Sequence, residues 1–162
     1  GLMGSHGPIA VGTCYANKKF TLCFAGDAAA EEDYFLAAIG WAATKNIPIW
    51  FIIEDNNLSI LTEKIIRRCW KMDEVAKAFG AQAFEIEDDP TKIWGEVSSD
   101  LLNKTCLFNV KTNRLFWHGG AGIDDPSIFD RHKELTKIFG NEENEKNKNL
   151  VNDMWNECKQ LL

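Results

Sequence analysis

Asp27 and Asn56 each sit just past an apolar run of strand length, and a helix-length segment separates the two runs. The first run is Phe20 to Ala25, leading into Gly26-Asp27-Ala28; the second is Ile49 to Ile53, leading into Glu54-Asp55-Asn56-Asn57. A carboxylate and an amide oxygen at neighbouring strand ends suit magnesium, which prefers octahedral oxygen ligation from one or two carboxylates together with phosphate oxygens and water. The ion such a pair would hold is the kind that carries a diphosphate.

The elements between the two residues must bring them together. A helix from Ala29 to Thr44 would span about 24 Å at about 1.5 Å per residue, enough to return the chain to the start of a parallel neighbour. A right-handed crossover then places both carboxyl ends side by side, on the edge where open α/β sheets bind ligands. The helix opening at Ala28-Ala29-Ala30-Glu31-Glu32 would aim its free amides and positive dipole end at the phosphates, with small side chains letting the anion approach.

The remaining pattern extends the same architecture. Pro8 to Asn17 reads as a short helix, Met72 to Phe79 as a helix closed by Gly80, Gln82 to Ile86 as a strand, Pro90 to Leu102 as a helix and Thr105 to Val110 as a strand. Ile49 to Ile53 is an unbroken apolar run of the kind buried on both faces of a parallel sheet. This alternation predicts an α/β fold, a doubly wound and mostly parallel sheet with helices on both faces. Two further helices, about Ser127 to Phe139 and Leu150 to Leu162, would finish the chain, the second carrying Leu150, Val151, Met154, Trp155, Cys158 and Leu161 on an apolar face for the sheet or a partner. Asn141 to Asn149 reads as a solvated connector. The expected division is a domain over 1–131 and C-terminal helices over 132–162.

With 162 residues, 45% of them hydrophobic, the chain has length for one sizeable core. A net charge of −6, and arginines (Arg67, Arg68, Arg114, Arg131) that form no basic stripe, argue against a nucleic-acid surface. The five cysteines lack any C-x-x-C pair, which fits a reducing compartment, cytoplasm or an organelle matrix. No long uncharged apolar run or signal-peptide pattern is present, so no membrane association is expected.

The opening Gly1 to Gly12, the Gly26-Asp27-Ala28-Ala29 turn, Pro48 through Asn57, and Thr112-x-Arg114-x-x-x-His118 together resemble the signatures of one family. It is the thiamine-diphosphate-binding α subunit of 2-oxo acid dehydrogenases, of the pyruvate, branched-chain and acetoin type, and the resemblance covers residues 1 to 131. It implies the thiamine-diphosphate-binding fold, with thiamine diphosphate and Mg2+ as cofactors. Asp27 and Asn56 would be side-chain metal ligands and the main-chain carbonyl of Leu58 a third. Gly26, Ala28 and Ala29 would line the diphosphate, and Gly1 and Met3 would meet the aminopyrimidine through their backbone. His118 would bind the cofactor beside the reacting carbon and act as the catalytic histidine, with Thr112 and Arg114 holding its loop.

The resemblance also implies partners. A β-type subunit would supply the glutamate that activates the aminopyrimidine, in a heterotetramer or dimer of subunits acting on a 2-oxo acid substrate, and an upstream segment would bring further diphosphate-binding groups. Ala28 stands where the family has glycine, and Asp55 where it often has asparagine, which puts an extra carboxylate near the metal. The glycine-rich loop Gly119 to Pro126 is expected to order on cofactor binding. Two other readings share the metal motif: a transketolase-like or non-oxidative decarboxylase or carboligase subunit, and a subunit that keeps the fold without catalysis.

Overall fold

The computed structural model describes residues 2–120, 122 and 124–160, in two compact units, Gly1–Ile128 and Phe129–Leu162. The first unit is built on a parallel sheet. Its strands β1 (Thr21–Gly26), β2 (Ile49–Asp55), β5 (Gln82–Glu87) and β6 (Cys106–Lys111) lie in the order β1-β2-β6-β5, every neighbouring pair parallel. The central strands β2 and β6 are buried along most of their length, which is why their sequences are nearly continuous apolar runs. Edge strand β1 alternates, with Cys23 and Ala25 buried and Leu22 and Phe24 exposed.

Period-two alternation divides the core into two faces. Ile49, Phe51 and Ile53 of β2 and Leu107 of β6 pack against α1 (His6–Asn17), α2 (Asp33–Lys45) and α4 (Met72–Ala78). Trp50, Cys106, Phe108 and Val110 point the other way, toward α5 (Pro90–Glu96) and the 3-10 turn Ser99–Asn103, where the Trp50 indole N–H donates to the Leu101 carbonyl at 2.9 Å. Helices therefore cover both faces. Thr105 ties the layers together: its hydroxyl lies 3.0 Å from the Ala42 carbonyl and 2.8 Å from that of Ile47.

Four expectations are corrected. The helix expected over Ala29 to Thr44 is broken: Ala29–Glu31 forms a single 3-10 turn, Glu32 is extended at ψ 138, and α2 starts only at Asp33. Pro90 to Leu102 is likewise split, because Val97 and Ser98 are extended between α5 and the 3-10 turn. In the second unit, the helix expected from Ser127 is α6 (Arg131–Phe139), started by the Asp130 carboxylate accepting from the Lys133 amide at 3.1 Å. The expected connector Asn141 to Asn149 is largely helical, part of α7 (Glu142–Gln160), supported by Lys146–Glu143 and Lys148–Glu145 pairs one turn apart. Leu161, assigned to its apolar face, lies outside the described residues. Among the described residues no helix is long and apolar enough to cross a membrane.

Candidate functional site

Parallel pairing sets the geometry of the sheet edge. Gly26 of β1 is in register with Glu54 of β2, and Asp55 with Lys111 of β6, so Asp27 and Asp55 emerge at the same level from adjacent strands. Asn56 follows, in a turn closed twice by side chains: the Asp55 carboxylate accepts from the Asn57 amide at 3.1 Å, and the Asn56 side-chain oxygen from the Leu58 amide at 2.9 Å. Asn57 takes the left-handed conformation such turns favour, at φ 67. The two-residue strands β3 (Leu58–Ser59) and β4 (Thr62–Glu63) then form a hairpin, and α3 (Lys64–Arg67) brings the chain back over the strand ends.

This return delivers three cations that the motif reading did not assign to the site. Lys64 pairs with Asp55, which also accepts from the Asn109 amide of β6 at 2.9 Å. Burial acts to raise the Asp55 carboxyl, but these hydrogen bonds and the Asn57 amide outweigh it and hold the group below the usual carboxylate range. Asp55 is thus held by Lys64, Asn109 and the Asn57 amide, a structural anchor at the level of Asp27. Arg67 pairs with Asp27 at 2.5 Å and approaches Glu31 at 3.3 Å, and Arg68 also approaches Glu31 at 3.3 Å.

Asp27 is only 1% exposed, and here burial wins: its carboxyl is raised despite Arg67, with the Asp55 charge adding to the rise. Glu31 is raised for the same first reason, burial. Burial lowers the Arg68 guanidinium from its usual value. Arg67, the Ala28 amide and Arg68 all act to lower the Asp27 carboxyl but do not outweigh its burial.

Ala28 has φ −71 and ψ −36, an ordinary right-handed conformation, so the position needs no glycine. An atom added at the Cα of Gly26 would meet nothing within 4 Å, which leaves room above the strand tip. The amides that follow belong to a single 3-10 turn, so the extended helix dipole expected at Ala28 is absent there. The N-terminal segment closes on this turn: at Gly4, φ +78, a Cβ would lie 2.6 Å from the Ala29 carbonyl oxygen. Met3 is exposed and its carbonyl accepts from the Tyr34 hydroxyl, while Gly1 lies outside the described residues.

His118 is exposed on the loop that leaves β6 at the same edge. Its anchors are upstream. The Thr112 amide donates to the Asp55 carbonyl at 2.9 Å, and the Arg114 guanidinium to the Ile60 carbonyl of the β3–β4 turn at 2.5 Å. Thr112 therefore acts through its main chain and Arg114 through its side chain. The Trp117 amide donates to the Asp124 carboxylate at 2.7 Å.

The model of the dehydrogenase E1 component family matches residues 3–91, more than half of the chain, including Met3, Asp27 and Asn56. The chain belongs to that family. It is a family of thiamine-diphosphate-dependent enzyme components. A search of curated proteins matched none. Among solved structures, a transketolase from Campylobacter jejuni subsp. jejuni NCTC 11168 is similar in fold, with a TM-score of 0.54 and 20% identity over 68% of this chain. The E1-family chain spans 20% of that transketolase.

The donors at this edge are oxygen donors, the kind of chemistry that a magnesium diphosphate takes. Among the described residues no three His, Cys, Asp or Glu side chains converge as metal ligands. One carboxylate with amide and main-chain oxygens is a hard donor set, which suits magnesium rather than zinc. Asp27, Asn56 and the carbonyl of Leu58 are the residues that could hold such an ion, and Gly26, Ala28 and Ala29 are the small residues next to Asp27 in sequence. The condition is that Arg67 yields its place on Asp27.

Proposed function

We propose that this E1-family chain is the α-type, diphosphate-binding component of a thiamine-diphosphate-dependent 2-oxo acid dehydrogenase, acting with a β-type subunit. The observation that carries the reading is the meeting of Asp27 and the Asp55-Asn56 turn at adjacent strand ends, beside a small-residue turn and the anchored loop that bears His118. Asp27, Asn56 and the Leu58 carbonyl would hold Mg2+, and Gly26, Ala28 and Ala29 would flank the diphosphate. Gly1 and Met3 would meet the aminopyrimidine. When bound, thiamine diphosphate supplies the electron sink that allows a 2-oxo acid to lose carbon dioxide.

The chain's own residues bind and orient. The Asp55 network fixes the tip of β2, so Asn56 is presented from a rigid turn rather than a free loop. Arg114 holds the base of the His118 loop, from which the imidazole would hold or deliver a proton at the reacting centre. The activating glutamate would come from the β-type subunit.

Calorimetric titration with thiamine diphosphate and magnesium tests the binding half. Saturable, magnesium-dependent heat that disappears in Asp27→Asn supports it, and equal heats with and without magnesium would count against it. Assay of 2-oxo acid decarboxylation with a β-type subunit present tests the reaction half.

A further inference from the structure

We propose that Arg67 is the built-in counter-cation of the metal site: it competes with a divalent cation for Asp27, and loading the site releases Arg67 and α3. This rests on the metal reading of Asp27 above and concerns a residue outside that ligand set.

The Arg67 side chain is 12% exposed and Arg68 3%, and Arg68 stacks over the Trp70 ring at 4.5 Å, yet both guanidiniums have N–H groups left unsatisfied. Arg67 makes its hydrogen bond to Asp27 through Nη2 alone, and its Nε and Nη1 make no hydrogen bond within the protein. Nε and Nη1 of Arg68 are equally buried and without a hydrogen bond, as is Oε1 of Glu31, because the 3.3 Å approaches between them lack hydrogen-bond geometry. A native structural ion pair normally satisfies its buried N–H groups. This one satisfies the carboxylate and leaves the guanidinium wanting, as suits a cation that is exchanged.

Charge points the same way. Asp27, Glu31 and Asp55 face Lys64, Arg67 and Arg68, so the cluster is formally neutral. A divalent cation alone on Asp27, without a diphosphate, would give it two excess positive charges, and Arg67 is the cation in direct contact with that carboxylate. Lys64 stays with Asp55, whose remaining partners, Asn109 and the Asn57 amide, do not depend on Asp27.

The carrier is suited to release. α3 is a single turn without a side-chain cap, its Ile65 and Ile66 are exposed, and it contributes no buried residue to the core. An element with so few buried contacts opens at low cost.

Mn2+ alone, without thiamine diphosphate, is the probe, and its affinity is read by electron paramagnetic resonance for the wild-type chain, Arg67→Gln and Asp27→Asn. Arg67→Gln is expected to bind Mn2+ about tenfold more tightly than wild type, about 1.4 kcal/mol at 25 °C. Asp27→Asn is expected to lose the site. In wild type, saturating Mn2+ is expected to speed tryptic cleavage at Lys64, Arg67 and Arg68, a readout that stands even where Arg67→Gln fails to fold. Equal affinity in wild type and Arg67→Gln, with cleavage unchanged by Mn2+, overturns the competition while leaving the metal reading intact. Absence of Mn2+ binding in wild type and Arg67→Gln alike overturns both.

Discussion

The Asn109 side-chain amide donates to the Asp55 carboxylate at 2.9 Å, joining the end of β2 to β6 inside the sheet. Both side chains are buried, and this contact with Lys64 makes Asp55 a fixed point from which the Asn56 turn and Thr112 depart. A buried hydrogen bond to a charged group is costly to leave unmade. Asn109→Leu is therefore expected to lower unfolding free energy by about 1–3 kcal/mol, read as a lower urea midpoint. An unchanged midpoint would show that Asp55 does not need Asn109.

Phe108 stacks on Phe84 at 5.1 Å between centroids and meets Trp50 at the same distance, at the centre of the second core face. Truncation there removes transfer energy and leaves a cavity. Phe108→Ala should cost about 3–5 kcal/mol by chemical denaturation, more than the same change at exposed Phe24.

Burial pushes the Cys23 and Cys106 thiols up to about 11, while Cys69 and Cys158 are exposed. At pH 8 iodoacetamide should modify Cys69 and Cys158 first and reach Cys23 and Cys106 only on unfolding. The linkage has a definite sign. These folded-state values lie above the unfolded value, so the stabilising contribution is intact below about pH 9 and is lost as pH rises to about 11. Denaturation midpoints across that interval check it.

Arg114→Ala removes the side-chain tether between the His118 loop and the β3–β4 turn. Amide exchange over residues 112–120 should quicken at least severalfold, with global stability changed by less than about 1 kcal/mol because the pair is solvent-accessible. Protection equal to wild type would locate the anchor at Thr112 alone.

The strands were legible because burial on both faces of β2 writes itself as an apolar run and β1 is mostly apolar, and Asp27 and Asn56 stand at the punctuation after them. The stretch from Asn57 to Arg68 was not. It has no hydrophobic period, its hairpin strands are two residues long, and its fold depends on where Lys64, Arg67 and Arg68 find carboxylates. Those arginines register in composition only as a pair outside any basic stripe. Tertiary charge pairing over 40 positions, as between Asp27 and Arg67, leaves no periodic trace. The Asn141 to Asn149 error has a different origin: low hydrophobicity reads as loop, whereas charges one turn apart stabilise a polar helix.

The extended residue Glu32 separates two parts that answer to different demands. The turn before it lies at the strand ends, and the helix after it packs Phe35, Ile39 and Ala42 into the core. Since the α2 ladder begins at Glu32 and not at Ala28, a replacement of glycine by alanine at position 28 leaves the helix's phase untouched. Such a seam lets the strand-end turn change without renegotiating the frame.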